Sequence, residues 1–137
     1  MQKNSSNLNP SGSFPAQPPK RVLLVDDEHT AIKLYEKILT PLGCNITVAS
    51  DGQDAWLKMT PENMPQLIIS DIVMPKMDGF AFLKQLKLNS ETTDIPILVV
   101  STQGHMEYAI ILAGADAFLD KPFSNEKFLS TVKKLLK

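Results

Sequence analysis

The chain predicts an α/β domain: a doubly wound, five-stranded parallel sheet with helices on both faces. Two observations carry this. Short aliphatic runs alternate five times with segments of helical apolar spacing, so each strand is followed by a crossover long enough for a right-handed parallel connection. The strand candidates are also apolar throughout instead of alternating with polar residues, the pattern of a sheet buried on both sides.

The first strand is Arg21-Val22-Leu23-Leu24-Val25, ending in Asp26-Asp27-Glu28. From about Thr30 the spacing of Ile32, Leu34, Tyr35, Ile38 and Leu39 is helical, and Pro41 with Gly43 ends that helix. Ile46 to Ala49 is a second strand, and Gly52 to Met59 a short helix with Ala55, Trp56 and Met59 inward. Leu67 to Ser70 is a third strand that gives out at Asp71. Met74-Pro75 and Asp78-Gly79 then set up a helix carrying Phe80, Phe82, Leu83 and Leu86. Ile97 to Val100 is the fourth strand, Met106 to Ala113 a helix closed by Gly114, and Ala117 to Leu119 the fifth strand. Asn125 to Leu136 form the last helix, with Phe128, Leu129, Val132, Leu135 and Leu136 on its buried face.

Composition bounds what such a domain does. At 137 residues and a formal net charge of -1, the chain suits one globular unit with a sizeable core and has no basic excess to argue for nucleic acid. Its single cysteine, Cys44, excludes an internal disulfide, and no Cys/His cluster has zinc spacing, which fits a reducing cytoplasm. No apolar segment approaches membrane-spanning length. The N-terminus also lacks a positive start followed by an apolar block, so a cytoplasmic protein without membrane insertion is expected. Residues 1 to 20 are rich in Ser, Asn, Gln and Pro and poor in aliphatics, and are expected to be a disordered tail ahead of a domain over 21–137.

In parallel α/β sheets ligands bind beyond the carboxyl ends of the strands, where strand order reverses. The unusual polar residues fall at those ends: Asp26 and Asp27, Asp71, Ser101 with Thr102, and Asp120-Lys121. An order of 2-1-3-4-5 makes the first and third strands central neighbours and predicts three carboxylates together. At about 4 Å each pair of charges repels by about 1 kcal/mol in water and about 4 at an effective dielectric of 20. An oxygen-ligated cation relieves this directly, and a site of Asp oxygens without soft ligands suits Mg²⁺ with several waters.

These residues resemble the receiver domain of two-component response regulators, the CheY-like, flavodoxin-like three-layer sandwich. The resemblance covers about Arg21 to Lys137. It rests on the Asp-Asp after the first strand, Asp71-Ile72-Val73-Met74-Pro75-Lys76-Met77-Asp78-Gly79, Ser101 after an aliphatic strand, Gly114-Ala115, and Lys121-Pro122-Phe123. It implies that Asp71 accepts a phosphoryl group from a histidine kinase or histidine phosphotransferase. Asp27 and Asp71 would contact Mg²⁺, the Val73 backbone carbonyl would add a ligand, and Asp26 would act through metal-bound water. Lys121 and Ser101 would hold the phosphoryl oxygens, with Lys121-Pro122 joined by a cis bond. Such a domain signals and is not an enzyme in the usual sense.

The resemblance further implies a switch. Ser101 would move toward the phosphate and Phe118 would turn inward, repacking the face of the fourth helix, fifth strand and fifth helix for a downstream protein. Family members often have Tyr where this chain has Phe118, so a bias toward the buried rotamer is expected. Val73 and Gln103 hold the positions that tune phosphate lifetime; Val73 cannot orient an attacking water, which predicts slow loss. Thr102 is bulkier than the usual small residue, and His105 is expected to be a solvated loop residue. No output domain follows the last helix, so a stand-alone receiver is expected, monomeric or weakly dimeric, with no direct nucleic-acid contact. Two other classes compete. A nucleotide-binding enzyme would need a glycine-rich loop after the first strand, where this chain has Asp26-Asp27-Glu28-His29-Thr30. A Mg-dependent phosphohydrolase with an aspartyl nucleophile at Asp26 would want Asp at position 28, which is Glu28.

Overall fold

The apolar run Arg21–Val25 forms strand β1, paired on both edges, with Val22 to Val25 fully buried because packed side chains cover both faces of the sheet. β2 (Asn45–Ala49) lies on one side and β3 (Leu67–Ser70) on the other, with β4 (Ile97–Ser101) and β5 (Ala117–Asp120) beyond β3. The order β2-β1-β3-β4-β5 is parallel throughout, as the strand-helix alternation predicts, so strand order reverses between β1 and β3. This computed structural model describes residues 18–72 and 79–136.

Successive side chains of a strand point to opposite faces, and that splits the core in two. Leu23, Val25, Ile68, Ile97 and Val99 face one cluster, covered by helices α2 (Gly52–Lys58), α3 (Gly79–Leu88) and α4 (Glu107–Leu112) through Ala55, Phe82, Leu83, Leu86 and Ile110. Val22, Leu24, Leu67, Ile69, Leu98 and Val100 face the other, covered by α1 (His29–Leu39) and α5 (Asn125–Leu135) through Ile32, Tyr35, Leu39, Phe128 and Val132. Among the described residues, two helix starts are capped by side chains. Asp51 Oδ1 accepts the Asp54 N–H at 2.8 Å, and Ser124 Oγ accepts the Lys127 N–H at 3.0 Å.

The differences from the expected elements are local. β4 and β5 each run one residue further, which places Ser101 opposite Asp120 in the ladder. The helix expected over Met106 to Ala113 begins with a 3₁₀ turn, Gly104–Met106, and is α-helical only over Glu107–Leu112. Leu34 is exposed instead of joining the buried face of α1, since two residues after Ile32 is the far side of a 3.6-residue turn. The expected tail falls mainly on residues outside those described.

Candidate functional site

Each residue at the mouth of the sheet is fixed by a backbone bond one step past its strand. Asp26 N–H donates to Ala49 O at 3.0 Å, Asp71 N–H to Val25 O at 3.0 Å, and Lys121 N–H to Ser101 O at 2.9 Å. Loop residues are thereby held as firmly as strand residues, and their side chains leave the sheet edge in defined directions.

Those directions converge on Lys121. Its Nζ lies 3.5 Å from Asp26 Oδ2 and 3.5 Å from Asp71 Oδ2. The two carboxylates differ in exposure: the Asp26 side chain is 2% exposed and that of Asp71 17%. Asp26 Oδ1 accepts the Glu28 N–H at 3.0 Å, and Asp71 Oδ1 accepts the Ile72 N–H at 2.6 Å. Asp26 Oδ2 is buried with no hydrogen-bond partner among the described residues; Lys121 offers it charge at ion-pair distance, beyond good hydrogen-bond geometry. Burial pushes the Asp26 carboxyl above its ordinary range and the nearby Asp71 charge adds to this. The Glu28 N–H and the Lys121 ammonium pull the other way without cancelling it.

The expected trio of carboxylates is not what assembles. Among the described residues no three acidic or metal-ligating side chains sit close enough to hold an ion. Asp26 is buried one step past β1, whereas its neighbour Asp27, where the chain bends away from the sheet, is exposed. Asp27 lines an open groove with Asp26, His29, Ser50, Asp54 and Lys58. The centre is therefore two carboxylates bridged by an ammonium. Its carboxylates still offer a hard cation only oxygen ligands, among them the buried Asp26 Oδ2, which accepts no hydrogen bond from the described residues.

The remaining predicted residues surround this centre. Ser101 is buried at the end of β4, and its Oγ accepts the Gln103 N–H at 3.0 Å. Thr102 is exposed and Gln103 half-buried, while His105 is exposed in the 3₁₀ turn, as expected for a solvated loop residue. Phe118 is half-buried and packs against the cluster under α3 and α4. Lys121-Pro122 is cis. Val73 lies outside the described residues. Tyr35 is the residue whose bearing on the site sequence spacing did not reveal. It is buried on α1, and its hydroxyl is pushed well above its usual range by burial and then by the charges of Asp26, Asp71 and Glu28. Its helical spacing marked it only as core.

The structure is a parallel α/β sheet with a lysine-bridged acidic pair at its switch point. The chain belongs to the response regulator receiver domain family, whose profile matches residues 22–133. It is 34% identical to protein PilG of Pseudomonas aeruginosa over 115 residues, which is 82% of this chain and 84% of PilG. A putative response regulator from Chloroflexus aurantiacus superposes with a TM-score of 0.81 at 31% identity, over 86% of this chain and 98% of that one. The chemotaxis response regulator CheY4 of Vibrio cholerae does so with 0.78 at 32%, over 86% and 99%. Other relatives are longer: the chain spans about half of several, between 46% and 51%, and 9% of one.

Proposed function

We propose that this receiver domain accepts a phosphoryl group on Asp71 from a phosphohistidine of a histidine kinase or histidine phosphotransferase. The phosphorylated form then alters its α4-β5-α5 face to control a protein partner. The observation that carries the reading is the position of Lys121, whose ammonium bridges Asp26 and Asp71 at 3.5 Å each. A cation held there neutralises oxygens that gather on Asp71 during transfer. The Asp71 oxygen forms its bond to phosphorus as the phosphorus–nitrogen bond of the donor breaks, and the imidazole leaves with a proton from solvent.

Asp71 would hold Mg²⁺ with the Val73 carbonyl, and Asp26 through metal-bound water, while Asp27 would join them only by turning in from the exposed position it holds here. Once bound, Mg²⁺ supplies charge neutralisation at the phosphoryl oxygens. Ser101 supplies a hydroxyl to one of those oxygens, exchanging its contact with the Gln103 N–H for one to phosphate. Phe118, half-buried beside β4, is the side chain whose rotamer follows that exchange, and Val73 with Gln103 sets the lifetime. The hydrolase alternative, with Asp26 as nucleophile, is disfavoured because that side chain is nearly sealed from substrate, whereas Asp71 reaches the mouth.

The test is incubation with Mg²⁺ and a small phosphodonor, followed by intact mass. Wild type should gain one phosphoryl group and Asp71→Asn none, and a label that persists in Asp71→Asn would refute the assignment.

A further inference from the structure

We propose that a stack of three aromatic rings, Tyr35, Phe123 and Phe128, is the positioning device that holds Lys121 between Asp26 and Asp71. The rings come from three places: Tyr35 from α1, Phe128 from α5, and Phe123 from the segment joining β5 to α5. They are nearly parallel. Tyr35 and Phe128 have centroids 5.1 Å apart at 15°, Phe123 and Phe128 5.5 Å at 12°, and Tyr35 and Phe123 6.3 Å at 18°.

The chain connects this stack to both sides of the ion pair. Upstream of Lys121, the backbone is pinned by its N–H bond to Ser101 O. Downstream, the next fixed point is the ring of Phe123, two residues on, followed by the Ser124 cap of α5. On the other side, α1 begins three residues after Asp26 and carries Tyr35, buried to 3% exposure. Asp26 and Lys121 are therefore mounted on segments that meet in one stack, with Phe128, fully buried, shared between them. The lysine stem has four rotatable bonds, so its backbone must be fixed on both sides for its ammonium to stay 3.5 Å from two oxygens. Stacked rings contribute beyond their buried area and favour a defined relative geometry.

The experiment compares Tyr35→Leu and Phe123→Leu with Tyr35→Phe, which keeps the ring, and with Phe82→Leu, which loosens the opposite core. The acylation rate of Lys121 is read by peptide mass spectrometry against exposed Lys84 in the same chain. The two ring-removing variants should raise the Lys121 rate about threefold or more, the factor that one lost ring contact implies, while Tyr35→Phe and Phe82→Leu stay at the wild-type ratio. Equal ratios throughout, or an equal rise in Phe82→Leu, would overturn the proposal. The bearing on phosphoryl transfer rests on the function proposed above and has its own arm. Phosphorylation by the small phosphodonor should slow by a similar factor in the two ring-removing variants and slow no further when Lys121→Met is already present. Faster labelling without slower phosphorylation would remove the positioning role in the reaction. If wild type takes no phosphoryl group, the functional reading falls and the labelling ratio alone decides whether the stack holds Lys121.

Discussion

Asp26 is the residue on which the electrostatics of this domain turn. Its carboxyl is nearly sealed from water and one oxygen lacks a hydrogen-bond donor, so folding raises its affinity for a proton above the ordinary Asp value of 3.8. A carboxylate whose pKa is higher in the folded state costs stability when ionised. The cost is absent below the unfolded value and complete above the raised folded value, so stability falls as pH rises between the two. Asp26→Asn keeps an acceptor for the Glu28 N–H and removes the charge. It should raise the melting temperature by a few degrees at pH 7 and lose that advantage near pH 3, as thermal unfolding at the two pH values will read out. Val73 bears on a different quantity. Val73→Asn would supply an amide able to orient water toward the acyl phosphate, and should shorten the phosphorylated lifetime measured by decay of the phosphorylated mass. An unchanged lifetime would refute the role given to that side chain.

At the scale of the elements, the sheet positions its mouth through one-residue extensions of its strands, and the connections are closed by close backbone approaches. Gly79 opens α3 and donates its N–H to Ile72 O at 2.8 Å. A Cβ at that position would collide with Ile72 Cα and sit 2.7 Å from its carbonyl oxygen, and neither is the end of a flexible side chain. Gly79→Ala must therefore shift backbone next to Asp71. A loss of about 1 to 3 kcal/mol in denaturant unfolding is expected, the usual range for overpacking. Gly114 closes α4 at a φ of 122°, a conformation that side-chain-bearing residues rarely adopt. Most of these elements were legible in the chain. Their type follows from apolar periodicity, and their order from strict alternation. The short α4 was less legible, because a 3₁₀ turn and an α-helix share similar apolar spacing over a few residues.

At the scale of the molecule, the two faces of one sheet build two separate cores, and the site lies at the edge where both end. The segment ahead of β1 is rich in Ser, Asn, Gln and Pro and poor in aliphatics. Deleting residues 1 to 19 should leave the melting temperature nearly unchanged, and a large fall would show that the segment packs on the domain. The partner-facing surface belongs to this scale as well. α4 exposes Tyr108 and Leu112 beside β5, so apolar area is available where the proposed switch acts. A pull-down comparing phosphorylated with unphosphorylated protein should recover a target in one state only.

The sequence by itself determined the class of fold, the strand order consistent with it, and the strand ends at which Asp26, Asp27, Asp71, Ser101 and Lys121 would be found. Apolar periodicity and crossover length are local properties, and they leave few topologies open. Only the tertiary structure decided which of those side chains meet. Whether Asp27 turns inward or outward, whether Lys121 stands apart from the acids or bridges two of them, and whether Tyr35 packs singly or against the rings of Phe123 and Phe128 are questions of a few ångströms. Distances on that scale are set by register, by the loops beyond each strand and by packing between helices distant in the chain, and none of these is written in the spacing of residues along it.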